Sequence, residues 1–80
     1  GNGYPDITFK AERNTKAVII EIKATSNDEE MDELAAKALS QIEEMNYAQP
    51  FFKQSKITEI YAYGLVFCKK DCLVVCKKLK

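Results

Sequence analysis

The chain has 80 residues, 12 basic and 12 acidic, with no net charge and no histidine. That length allows one small domain with only moderate capacity to bury its own surface. Zero net charge argues against binding nucleic acid by bulk charge alone, three cysteines without histidine cannot complete a disulfide framework or a four-ligand zinc site, and no apolar run approaches the ~18 residues needed to cross a membrane.

The opening GNGYPDI carries Gly1, Gly3 and Pro5 and reads as a loop, with no secretory signal. A short strand is predicted over about Ile7 to Lys10, and AERNTK as a turn. AVIIEIKATS, residues 17–26, is a strand whose two faces differ. Side chains alternate along a strand, so Val18, Ile20, Ile22 and Ala24 share a wholly apolar face. Ala17, Ile19, Glu21 and Lys23 share the other, which turns from apolar to charged partway along. Thr25, Ser26, Asn27 and Asp28 form a helix-start signal, with Glu29, Glu30, Asp32 and Glu33 in the first turns. Met31, Leu34, Ala35, Ala38, Ile42 and Met45 recur at helical spacing and predict a helix from about Asp28 to about Tyr47. Pro50 interrupts that helix or starts a short helical turn through Phe51 and Phe52. Ile57 to Cys68 is rich in aromatic and β-branched residues and predicts a strand. KKD turns the chain, and CLVVCKKL returns as its hairpin partner. The order β-β-α-β-β gives an α/β (α+β) unit, a sheet with one main helix packed on a face.

Cys68, Cys72 and Cys76 read as reduced, small, buried hydrophobes of a cytosolic protein. Charge is distributed unevenly: residues 1–40 carry 5 basic and 8 acidic side chains, and residues 41–80 carry 7 and 4. The late lysines, Lys69, Lys70, Lys77, Lys78 and Lys80, suit protection of a terminal hairpin edge, with phosphate contact as the competing reading. Tyr61, Tyr63 and Phe67 alternate along their strand as core and sheet-face residues rather than base-stacking platforms. Tyr47 reads as a packing residue at the helix end, with a hydroxyl able to reach a phosphate or a neighbouring loop.

The charged strand face carries the chemistry. If residues 11–16 are the loop of a hairpin, Lys10 pairs with Ala17 and Asp6 falls opposite Glu21. Two carboxylates facing each other across a strand pair repel unless both point at a cation. Their oxygens plus a backbone carbonyl suit a hard divalent ion such as Mg²⁺. Gln41 lies on the apolar face of the helix, and a glutamine aimed at a sheet needs partners. The charges of Glu21 and Lys23 are the nearest candidates.

Asp6 preceded by Pro5, followed by Glu21-Ile22-Lys23, resembles the signature of the PD-(D/E)XK nuclease superfamily. The stretch YPDITF…AVIIEIKAT…LSQIEEMNYA is similar to one branch in particular, the nuclease-like domain at the C-terminus of predicted AAA-type ATPases of bacteria and archaea. The resemblance covers about Tyr4 to Cys68. It implies a restriction-endonuclease-like core with a mixed sheet, and a metal-dependent nuclease that hydrolyses phosphodiester bonds of nucleic acid, DNA before RNA, using Mg²⁺ or Mn²⁺. It implies Asp6, Glu21 and the backbone carbonyl of Ile22 as metal ligands, Lys23 to orient or activate water and steady phosphate charge, and Gln41 as an auxiliary polar residue. The superfamily core begins with a helix and a strand ahead of the aspartate, and only five residues precede Asp6 here. Residues 1–80 are therefore expected to form a single nuclease-like domain, the C-terminal part of a longer cytoplasmic chain that carries an ATPase. Apolar surface left open should be covered by self-association or a partner. Two alternatives stand beside the nuclease: a catalytically inactive nuclease fold that binds nucleic acid or regulates the ATPase, and a plain α/β module.

Overall fold

The computed structural model describes residues 3–80, so Gly1 of the opening loop lies outside the described residues. Strands β1 (Ile7–Ala11), β2 (Lys16–Ala24), β3 (Glu59–Cys68) and β4 (Asp71–Lys78) form one four-stranded sheet in the order β1-β2-β3-β4. The β1–β2 and β3–β4 pairs are antiparallel and β2–β3 is parallel, so the sheet is mixed, as expected. A parallel pair needs a long crossover, and the helical segment supplies it.

That crossover starts later and ends earlier than helical spacing alone predicts. Asn27 caps a 3-10 turn, Asp28–Glu30, by accepting from the Glu29 N–H at 3.0 Å. Helix α1 then runs Met31–Glu44. Asn46 adopts a left-handed φ of 56° and stops it. The Tyr47 N–H reaches back to the Ile42 carbonyl at 3.1 Å and the Asn46 N–H to Glu43 at 3.1 Å. This is a Schellman closure with asparagine in the place glycine usually takes. Met45, expected in the apolar stripe, falls past the helix end and is 49 % exposed. Helix α2 (Gln49–Phe52) carries Pro50 in its first turn, so the proline starts a second helical turn.

Helix α1 covers one face of the sheet, the one that carries the charges of β2. Ala17, Ile19 and Glu21 are fully buried beneath it with Ala35, Ala38 and Ile42, and Ile57, Ile60, Ala62 and Val66 complete the core. Truncating Ile42 to alanine in such a position costs about 2–5 kcal/mol. The opposite face, with Val18, Ile20 and Ile22, is open and only partly buried. Cys68 is buried as expected, but Cys72 and Cys76 are exposed. Their register opposite Phe67 and Tyr63 puts them on the open face of an edge strand, where no helix covers them. Of the late lysines, Lys77 pairs with Glu43 at 2.6 Å, Lys78 with Glu59 at 3.5 Å, and Lys80 donates to the Ile57 carbonyl at 2.8 Å. Tyr61 and Tyr63 are half-buried on the open face, as sheet-face residues. Among the described residues no helix is long and apolar enough to cross a membrane.

Candidate active site

The β1–β2 hairpin has the register that the loop length predicts: Lys10 faces Ala17 and Ile7 faces Ile20. One step further, Asp6 lies just ahead of β1 and beside Glu21. The Asp6 N–H donates to Glu21 Oε1 at 3.1 Å, and Asp6 Oδ2 accepts from the Ile22 N–H at 2.8 Å. Each carboxylate thus spends one oxygen on a main-chain N–H of the other strand. This reciprocal clamp extends the hairpin by one rung and holds two negative groups together that otherwise repel. Within an extended strand a residue's N–H and C=O point the same way. The Ile22 carbonyl therefore faces the Asp6 side of β2, as its N–H does.

Glu21 is 1 % exposed, whereas Asp6 is open to solvent. The floor under Glu21 is built by a residue that sequence reasoning passed over. Gly64 of β3 is the register partner of Glu21. A Cβ at Gly64 would lie 3.0 Å from the Ala35 carbonyl oxygen and 3.0 Å from the Ala38 Cβ. The absent side chain lets α1 press onto the sheet beside the carboxylate. A glycine inside a strand pattern signals such a close approach, and that signal was present in the YAYGLVF run.

Lys23 is two residues on from Glu21, on the same covered face but nearer the sheet end, and is partly buried. Its Nζ donates to Gln41 Oε1 at 2.6 Å. Gln41 in turn donates from Nε2 to the Tyr47 hydroxyl oxygen at 3.3 Å. Asp6, Glu21, Lys23 and Gln41 therefore come together at one corner of the sheet, from just ahead of β1, the end of β2 and the last turn of α1. Tyr47 is a packing residue, 5 % exposed, and a hydrogen-bond partner as well.

The donor set consists of oxygens: two clamped carboxylates and a main-chain carbonyl on the same side. That suits a hard divalent ion. Among the described residues no three His, Cys, Asp or Glu side chains gather, so the carbonyl and water would complete the shell, and Mg²⁺ commonly keeps several waters.

A family model described as the PD-(D/E)XK nuclease superfamily matches residues 1–77. No curated protein and no solved structure matched the chain. With the match spanning nearly its whole length, the chain belongs to the PD-(D/E)XK nuclease superfamily.

Proposed function

We propose that this member of the PD-(D/E)XK nuclease superfamily is a metal-dependent nuclease domain that hydrolyses phosphodiester bonds in nucleic acid, with DNA as the substrate class. The observation that carries the reading is the convergence of Asp6, Glu21, Lys23 and Gln41 at one corner. Asp6, Glu21 and the Ile22 carbonyl would hold Mg²⁺ or Mn²⁺. When bound, the ion supplies Lewis acidity and activates water. Hydrolysis adds water across one P–O bond, leaving a phosphate on one product and a hydroxyl on the other.

The chain's own part falls chiefly to Lys23. An ammonium has three donors and no acceptor. One N–H is committed to Gln41, and the other two serve the phosphate oxygens, where negative charge gathers in the transition state. The clamp between Asp6 and Glu21 keeps the carboxylates in place before substrate arrives, so little reorganisation is needed at reaction. As part of the same reading, the domain acts in the cytoplasm within a longer chain that carries an AAA-type ATPase.

Calorimetric titration of Mg²⁺ and Mn²⁺ into the protein and into Glu21→Ala tests the metal, with circular dichroism confirming that the variant folds. Binding is expected in the first and lost in the second; binding that survives unchanged sinks the ligand assignment. Plasmid cleavage by the longer chain tests the activity. Lys23→Ala should lower kcat by about 10²–10³ while leaving metal binding intact, and cleavage at the wild-type rate would remove Lys23 from the reaction.

A further inference from the structure

We propose that Tyr47 is a positioning residue for Lys23, acting through Gln41: its hydroxyl anchors the far end of the Gln41 amide whose carbonyl faces the lysine. A side-chain amide has a carbonyl end and an NH₂ end of almost the same shape. Lys23 only donates, so it requires the carbonyl end, and Gln41 Oε1 sits 2.6 Å from Nζ. The NH₂ end then needs an acceptor. The Tyr47 hydroxyl oxygen supplies it at 3.3 Å from Nε2. A flipped amide would set NH₂ against the ammonium and lose that contact, so Lys23 selects the carbonyl end and Tyr47 holds the other. Held at both ends, Gln41 offers Lys23 a fixed anchor.

The fold is built to place that hydroxyl. Tyr47 follows Gln41 by six residues, and a continued helix would carry it well past Gln41 along the axis. The left-handed Asn46 and the Tyr47 N–H bond to Ile42 end α1 and fold the chain back. Tyr47 is 5 % exposed and packs in the same core cluster as Ile19, Ile42 and Ile60. Its ring is held by packing, so its oxygen is a fixed point rather than a mobile one. Core packing alone would be served by phenylalanine; the oxygen is what the relay uses.

The consequence for rate rests on the nuclease reading, whereas the hydrogen-bond relay does not. Two measurements separate them. The first is the Gln41 side-chain amide pair in a ¹⁵N–¹H correlation spectrum, assigned by its loss in Gln41→Leu. In the wild-type protein the pair should lie away from the positions of solvent-exposed glutamines. In Tyr47→Phe it should move towards them, with thermal stability kept close to wild type because the ring remains. An unmoved pair overturns the proposal whether or not the protein cleaves anything. The second is steady-state cleavage by the longer chain. Tyr47→Phe should lower kcat about tenfold, the scale of one neutral hydrogen bond, with KM within about twofold of wild type. In a Gln41→Ala background the same substitution should have no further effect, since residues acting in series are not additive. Additive losses, or a Tyr47→Phe enzyme at full kcat, overturn it. A wild-type chain that does not cleave removes the nuclease reading and leaves the spectrum to decide the relay.

Discussion

Glu59 anchors a second charged cluster, at the start of β2 and β3 far from Lys23. Its carboxylate accepts from the Tyr61 hydroxyl at 2.6 Å and pairs with Lys16 at 3.2 Å and Lys78 at 3.5 Å. The Tyr61 hydrogen bond first, and Lys16 next, hold Glu59 below its ordinary value of 4.5. The same bond to Glu59 raises Tyr61 above 10.0, and hydrogen bonds to Glu12 and then Glu59 raise Lys16 above 10.5. A depressed carboxylate lends stability above its unfolded value and loses it as pH falls through the folded one. The raised tyrosine and lysine lend theirs below the unfolded values and lose it as pH rises through the folded ones. Urea melts across ~pH 3 to pH 8 should therefore show stability falling below the ordinary glutamate range, with a shallower acid slope in Glu59→Gln. An identical slope in the two proteins would show that other carboxylates set the acid limb. At this scale the sequence revealed Asp6, Glu21, Lys23 and Gln41 as neighbours because two periodicities, one of strands and one of helices, locate them without further knowledge. It did not reveal that Cys72, Cys76 and Met45 are exposed, because an apolar side chain says nothing of whether a cover exists or where a helix stops.

Gly64 decides how closely the main helix meets the sheet. The carbonyl of Ala35 belongs to the helix backbone and cannot rotate away as a side-chain tip would, and Val75 Cγ2 closes the other side at 3.1 Å. Gly64→Ala should therefore push α1 outwards and destabilise the fold by about 1–3 kcal/mol, the usual cost of overpacking, read as a lower urea midpoint at unchanged m-value. Because Glu21 is the register partner of Gly64, metal binding should weaken in the same variant; full stability would mean that the helix yields more easily than its backbone contact implies. The two hairpins, the β1–β2 register and the helix face towards Glu21 were legible from alternation and loop length, whereas the mixed sheet was implied only by the family resemblance. Loop length works here because a one-residue slip would turn Ile19 out of the core and Ile20 in. The end of α1 was less legible, since the left-handed turn rests on Asn46, and asparagine takes that place less often than glycine, so its presence alone does not mark a helix end. The partners of Tyr47 depend on that turn, so they were hidden with it.

On the whole molecule the two sheet faces are treated very differently. Ile7, Phe9, Ile22, Phe67 and Val74 are each between 36 and 54 % exposed. By register all five project from the face that α1 does not cover. Isolated exposed apolar residues are ordinary, but a contiguous sheet face of them favours association. Four strands at about 4.8 Å and some 25 Å of length give a face on the order of 500 Å². Two copies placed face to face would then bury about 1,000 Å² in total, at the lower bound for a specific contact. That size argues for a weak dimer that forms with concentration rather than a permanent one. The rim at one end carries both signs, Lys16 and Lys78 beside Glu59, so it does not repel a second copy outright. Sedimentation of this chain should show the weight-average mass rising through the high micromolar range. Phe9→Asp with Phe67→Asp should hold it at the monomer value without loss of the helix signal, because both side chains already face solvent. A clean monomer at high micromolar concentration in the unmodified chain would rule out pairing through this face and show that the exposed side chains do not hold copies together.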